Sequence, residues 1–319
     1  MRVATLAGFL LFPACSWAQA QNFPARPIRL VVNFAPGGTG DIITRALGGK
    51  LSEQLRQPVI VDNRGGAGGV VGANIVANSP ADGYTLLLGS NGALTIAPSL
   101  GKLPYDPVRD FTPVSLAALS QFVLVTHPSV AVQSVKQLIA YAKEKPGSLN
   151  YGSAGTGSVA HLAGELFKNM AGIDLVHVPY KGSGPMTVDL IAGHVQLSFP
   201  GLSSLVPHIK SGAVRALAVT GQNRSGVVPE LPTISESGLA GYEATTFWGI
   251  LGPPGLAPAI VKRLAAETQE AIHNSVFRKQ LVSFGFDPVG SSPTEFTAQI
   301  QADTQKWRRI VSLSGIRPE

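Results

Sequence analysis

The sequence predicts an α/β protein built as two lobes, and three observations carry that expectation. Apolar strand runs alternate with helical spacings along almost the whole chain, the rhythm of mainly parallel sheets with helices on their faces. The chain has 319 residues, enough for two lobes that each bury a core. A strand, a glycine-rich turn and a helix start also occur in the same order twice, once early and once in mid-chain.

The elements follow in order. Residues 28–34 are an apolar strand run, and residues 41–55 place Ile42, Ile43, Ala46, Leu47 and Leu51 at helical spacing. A strand over 58–61, a small-residue helix over 69–78 and a strand over 84–88 come next. Residues 111–118 and 122–126 read as strands parted by a short polar break. Ser134, with Gln137 three positions on, fits a capping box that opens a helix. Asn150-Tyr151 ends a short strand, and residues 158–171 form a helix. Residues 175–178, 186–192 and 195–199 continue the βαβ rhythm, and 214–219 is a strong strand. The chain closes with a strand over 247–251, a helix over 259–274 and a final helix to about Ser312. That last helix opens with a second capping box at Ser292 and Glu295. Crossings between the lobes are expected near residues 118–122 and at Val219-Thr220. Residues 21–120 plus 221–319 then form lobe I, and residues 121–220 form lobe II.

Residues 1–20 read as an export signal. Arg2 supplies the positive end, residues 3–12 are apolar, and Ala18-Gln19-Ala20 is a small-x-small site cleaved after Ala20. That apolar run is too short to span a bilayer, so the periplasm is the expected destination. Phe12-Pro13-Ala14 is a poor approach to a lipidated cysteine at Cys15. Cys15 is the sole cysteine, so the mature chain has none. Disulfides, thiolate catalysis and cysteine-ligated metals are thereby excluded. The 14% charged and 45% apolar composition describes a compact globule rather than a disordered chain. The +6 net charge favours anionic partners by steering, although surface solubility accounts for it equally. Basic runs interleaved with aromatics are missing, which excludes nucleic acid.

The two glycine-rich turns are the candidate ligand sites. The first comprises Ala35, Pro36, Gly37, Gly38, Thr39, Gly40 and Asp41; the second runs through Ser153, Gly155, Thr156, Gly157 and Ser158. Glycine lets a ligand approach the backbone, and the first N–H groups of a helix lack partners at the positive end of its dipole. Such a turn binds a carboxylate or phosphate without a charged side chain. Lys181 lies in a third strand-to-helix loop, where pairing with an anion competes with a plain solvated lysine. Asn91 follows a strand and offers an amide at the same end. Phe247 and Trp248 are candidate pocket walls, with core burial as the rival.

Catalytic constellations do not appear. The G-x-S-x-G and P-loop patterns are absent, and the six histidines show no metal-ligand spacing. Gly155-Thr156-Gly157-Ser158-Val159-Ala160 matches a dinucleotide fingerprint with Asp174 downstream, but it sits mid-chain in an exported protein. No cofactor and no metal are expected. Ser158 with His161 leaves an exported hydrolase as a minor alternative.

Taken together, residues 34–41, Gly65-Gly66-Ala67-Gly68-Gly69, Ala81-Asp82-Gly83-Tyr84-Thr85-Leu86, Val178-Pro179-Tyr180-Lys181-Gly182 and Arg215-Ala216-Leu217-Ala218-Val219-Thr220 resemble the Bug (Bordetella uptake gene) family. Pro232-Thr233, Glu236-Ser237-Gly238 and the ending from Trp307 to Ile316 fit the same pattern. Bug proteins are the solute receptors of tripartite tricarboxylate transporters. The resemblance implies a type II periplasmic-binding fold, two α/β lobes joined by two crossing strands around a ligand cleft. It implies carboxylate contacts at Ala35, Pro36, Gly37, Gly38, Thr39 and Asp41, facing Ser153, Thr156, Gly157 and Ser158, with Lys181 nearby. Pro200-Gly201 stands where many relatives carry an acidic residue, which points to a ligand lacking an amine, unless Asp41 supplies the anion. The expected partners are a small di- or tricarboxylate or an aromatic acid, and permease subunits in the membrane. A sensor kinase is the alternative recipient, and a monomer is expected.

Overall fold

The computed structural model describes residues 23–314 and residue 316; the export signal and its cleavage site lie outside the described residues. Among the described residues, eleven strands form two sheets. In the first, β1 (Ile28–Val32), β2 (Val59–Asn63) and β3 (Thr85–Gly89) run parallel. The antiparallel β10 (Thr245–Gly252), β4 (Thr112–Gln121) and β11 (Phe286–Pro288) extend that sheet. In the second, β6 (Asn150–Ser153), β7 (Val176–Pro179) and β8 (Leu197–Ser198) are parallel, and β5 (Val123–Thr126) and β9 (Arg215–Val219) are joined antiparallel.

The helices follow the apolar spacing. α1 (Thr39–Leu55) buries Ile43, Leu47, Leu51 and Leu55 against Ile28, Leu30 and Val32 of β1. The other face of β1 packs Val31 with Ala73 and Val76 of α2 (Val70–Ala77). A strand covered on both faces reads as the continuous apolar run seen in the sequence. α3 (Ala97–Leu100) continues a π-helical turn at Gly92–Ile96. α4 (Val135–Glu144), α5 (Val159–Ala171), α6 (Ser183–Ala192) and α7 (Leu202–Lys210) cover the second sheet. α8 (Pro258–His273), α9 (Ser275–Ser283) and α10 (Pro293–Ser314) complete the chain. The Ser292–Glu295 capping box forms in full, while at Ser134 only the cap bond forms and the Gln137 side chain accepts the Gln133 N–H instead. Ser134 Oγ accepts the Gln137 N–H at 3.3 Å, while Glu295 Oε2 accepts the Ser292 N–H at 2.8 Å. β6 begins at Asn150 rather than ending there, because Asn150 through Ser153 pair residue by residue with β7.

The chain leaves the first sheet at Gln121-Phe122 and re-enters it at Ala244-Thr245. Thr220 binds these two segments together. Its hydroxyl accepts the Phe122 N–H at 2.9 Å and donates to the Ala244 carbonyl at 2.7 Å, and its carbonyl accepts the Ala244 N–H. Between the crossings, Val228 packs with β5 and β9, and Ile234, Tyr242 and Ala244 join Leu124, Tyr151 and Phe167. These side chains, with Trp307, Ile310 and Val311, sit in the core of the second lobe, although a division at 120 and 221 assigns them to the first. α10 is therefore shared: Phe296 and Ile300 lie in the first lobe's core, and Trp307 onwards in the second's. Trp307 is fully buried. Trp307→Ala is expected to lower the unfolding free energy by about 3–5 kcal/mol through cavity formation, measured by urea denaturation at fixed pH.

Candidate functional site

The first glycine-rich turn lies at the carboxyl end of β1, where open α/β sheets place their ligands. Residues 35–38 are exposed and Thr39 is half-buried. Gly37 holds φ +83, which only glycine adopts without strain. Gly40 is obligatory for a different reason: a Cβ there would stand 2.7 Å from the Trp248 ring and 3.2 Å from Phe34. The start of α1 thus rests directly on the Phe34–Trp248 aromatic pair. Gly38 occupies the N-cap and provides no side-chain cap.

Asp41 is buried and turned inward. Its Oδ2 accepts from the Gly37 N–H at 3.0 Å and Arg45 Nε at 2.9 Å, and its Oδ1 accepts from Asn63 Nδ2 at 2.9 Å. Burial pushes this carboxyl up, and the hydrogen bonds from Arg45, the Gly37 amide and Asn63 outweigh it, so its pKa lies below the ordinary carboxylate value. Asp41 therefore shapes the loop, and its charge is already compensated by Arg45 rather than offered to a ligand ammonium. The Gly37 amide is spent in the same way. Below the turn, the Asn33 carboxamide and the Ser90 hydroxyl are buried with no partner among the described residues. Buried polar groups of that kind mark a place for a polar occupant.

The second glycine-rich turn is tied to itself. Ser153 is fully buried; its Oγ lies 2.7 Å from His177 Nε2 and accepts the Gly155 N–H at 3.2 Å. The Gly157 N–H donates to His161 Nδ1 at 3.0 Å, and Ser158 Oγ caps α5 by accepting the His161 N–H at 3.2 Å. Ser153, Gly157 and Ser158 thus build the turn. Ser158 and His161 are also disqualified as a nucleophile–base pair, since the imidazole nitrogen nearest the turn already accepts a backbone N–H. Thr156 and Lys181 are exposed. The third loop is stitched beside the second, with Tyr180 N donating to the Ser153 carbonyl and Gly182 N to that of Ala154.

Sequence spacing did not pair His161 with His177, sixteen positions on. Because β7 lies next to β6, their rings stack with centroids 3.8 Å apart and planes within 6°. Burial lowers the His161 pKa to about 3, and the His177 and Lys168 charges add to this. Burial likewise lowers His177 to about 4, against an opposing pull from Glu165. Both rings are neutral near pH 7.

Across the cleft from Thr39 stands an element the sequence reading missed, the start of α7. Thr39 Oγ1 and Ser203 Oγ are 3.2 Å apart, one from each lobe. A Cβ on Gly201 would lie 3.5 Å from Thr39 Oγ1. Gly201 is the N-cap of α7 and, like Gly38, provides no side-chain cap. Two uncapped helix starts therefore meet from opposite lobes, whereas α5 is capped by its own Ser158. The available signal was Leu202, Leu205 and Ile209 at helical spacing behind Pro200-Gly201, obscured by Pro207 inside the helix.

Asn91 and Phe247 are corrected. Asn91 is wholly buried, its Oδ1 accepting the Phe247 N–H at 2.7 Å and its Nδ2 donating to Asp303 at 2.9 Å. The Phe247 side chain faces one core, edge-on to Phe296, and alternation along β10 turns Trp248 to the opposite core, against α1.

The family profile described as tripartite tricarboxylate transporter family receptor matches residues 43–316. The chain belongs to that receptor family. This receptor is 38% identical over 303 residues to protein BugT of Bordetella pertussis, covering 93% of this chain and 92% of that one. Its fold matches that of R. palustris Rpa4515 with adipate at a TM-score of 0.86 and 37% identity, covering 93% of this chain and all of the other. It also matches MatC from Rhodopseudomonas palustris with bound malate at a TM-score of 0.80 and 31% identity, covering 91% and 100%. The receptor thus has the two-lobed periplasmic-binding fold and is a binding protein, not an enzyme. No helix among the described residues is long and apolar enough to cross a membrane.

The histidine stack gives this receptor a pH-dependent stability. The folded pKa values lie below the ordinary imidazole value of 6.5, so the unfolded chain binds more protons in between. The contribution is complete above about pH 6.5 and is lost as the pH falls towards 4. Urea unfolding at pH 7 and pH 5 is expected to show a loss in the native receptor that is smaller in His161→Gln.

Proposed function

We propose that the receptor closes its lobes around one carboxylate end of a small aliphatic di- or tricarboxylate and hands it to the permease subunits of a tripartite transporter. The observation that carries this reading is the meeting of the uncapped starts of α1 and α7 at Thr39 and Ser203. Free amide N–H groups at two helix starts, each at the positive end of its dipole, form an anion site with no charged side chain. Ala35, Pro36, Gly38 and Thr39 would line it from the first lobe and Gly201 and Ser203 from the second, with Thr156 and Lys181 towards the exposed mouth. Gly201 offers no anion, and Asp41 is neutralised internally, so nothing here suits an ammonium group. An aromatic acid loses the wall expected from Phe247, which lies in the core. Adipate and malate in the two structural relatives agree with an aliphatic acid. We take the mature protein to begin after Ala20, to act in the periplasm and to be a monomer, with the lobes divided along the two sheets.

Thermal shift of the mature receptor against C4 to C6 dicarboxylates is the direct test. A ligand at about 100 times its dissociation constant should stabilise by about 2.7 kcal/mol, while the amine-bearing aspartate should not. No shift with any dicarboxylate would refute the reading. Gly201→Asp makes the sharper case. Gly201 has φ −59 and ψ 130, which aspartate adopts freely, and an N-cap carboxylate would satisfy the α7 amides itself. Calorimetric titration should show at least about tenfold weaker binding, a loss of about 1.4 kcal/mol, without any fall in melting temperature.

A further inference from the structure

α10 carries a buried charged chain at the point where it passes from one lobe to the other. Lys306 Nζ lies 2.7 Å from Glu243 Oε2 and 3.1 Å from Asp303 Oδ1. Asp303 in turn accepts from Asn91 Nδ2, and Asn91 Oδ1 accepts the Phe247 N–H. Glu243 stands in the return crossing, between Tyr242 and Ala244 of the second core and Thr245 at the start of β10. Asn91 lies two residues past the strand β3 of the first lobe, at the start of the Gly92–Ile96 turn. Along α10 the charges sit between Ile300, packed in the first core, and Trp307, packed in the second. One ammonium thus connects the hinge, the shared helix and the first sheet, and it holds β10 on both sides of Thr245.

We infer that Lys306 is a positioning residue for ligand capture, tying the return crossing to α10 so that the closed arrangement of the lobes is favoured. The geometry has the features such a tie requires. The side chains of Lys306, Glu243 and Asp303 are only 25%, 19% and 6% exposed, so solvent screens them little. Burial lowers the Lys306 pKa and the charges of Asp303 and Glu243 outweigh this, so the amine stays protonated. The chain is observed with Thr39 and Ser203 in contact across the cleft, that is, with the lobes closed. Opening at the crossing strands must move Glu243 relative to α10 or bend α10 between Ile300 and Trp307, and either motion strains the Lys306 contacts. None of these groups faces the ligand, so the effect operates on the open–closed balance alone.

The test uses the mature receptor without ligand, so that its outcome is independent of which acid binds. Glu243→Gln removes one charge from the hinge and leaves the Lys306–Asp303 pair intact, which keeps the fold safer than Lys306→Met. Small-angle scattering should give a larger radius of gyration for Glu243→Gln than for the native chain, and Lys306→Arg should stay close to native. Hydrogen exchange at Phe122, Ala244 and Phe247 should accelerate in Glu243→Gln. With adipate as the probe, affinity should fall about tenfold, as expected when one charge-assisted hydrogen bond of the closed state is lost. An unchanged radius and unchanged exchange at the hinge, with only the melting temperature lowered, would overturn the inference and leave Lys306 a purely structural residue. Should adipate bind neither protein, adipate is not the ligand, while the scattering and exchange arms still decide the hinge.

Discussion

Asp41 is the constraint on which the ligand turn depends. Three donors from three elements converge on its carboxylate: the Gly37 amide, Arg45 one turn along α1, and Asn63 at the end of β2. A loop of small residues has little side-chain packing to define its path, and glycine loses more entropy on ordering than any other residue. The carboxylate replaces that missing packing with charge-assisted hydrogen bonds. With Asp41 turned inward, residues 35–38 are left facing the cleft, and the first turn of α1 is aimed the same way.

Side-chain caps are present on some helices and missing from others: Gly69, Gly182 and Ala257 leave α2, α6 and α8 without one. A polar N-cap is worth about 1 kcal/mol. Ser134, Ser158 and Asn274 supply it to α4, α5 and α9. Gly38 and Gly201 withhold it from α1 and α7, the two helices that approach each other across the cleft. In the proposed complex the ligand's anion would take the place of the missing cap at those two ends.

The fold was legible because its signals are local and periodic. The β1–α1 apolar spacing, the double-sided burial of β1 and the caps at Ser134 and Ser292 are properties of short windows of sequence. The glycine-rich turn at 35–41 was also visible, and it lies where expected. What escaped the sequence is relational. Asn91 looked like a free amide at a strand end, and only the approach of α10, more than two hundred residues later, gives it Asp303 as a partner. The direction of Phe247 was decided by the register of β10 against β3, which turns Trp248 rather than Phe247 to the α1 side. The second turn looked equivalent to the first, yet its hydroxyls serve His177 and the α5 amide. What faces Thr39 is the start of α7, hidden behind Pro200-Gly201 and an internal proline.

Lobe closure has to work against a connection wider than two strands. The crossings at Gln121-Phe122 and Ala244-Thr245 are clasped by Thr220, while α10 and the Gly92–Ile96 turn place side chains in both cores: Ile96 and Trp307 in the second, Ala93 and Phe296 in the first. A hinge so buttressed cannot swing freely, because each packed side chain resists even small displacements. For the proposed amide site, that resistance would hold Thr39 and Ser203 near one register when the lobes meet. A site made of backbone amides needs that precision more than a site made of long charged side chains does. Arginine or lysine can reach for a displaced carboxylate, but an N–H fixed at a helix start cannot follow it. A stiff hinge and the proposed anion site without charged side chains would therefore belong together.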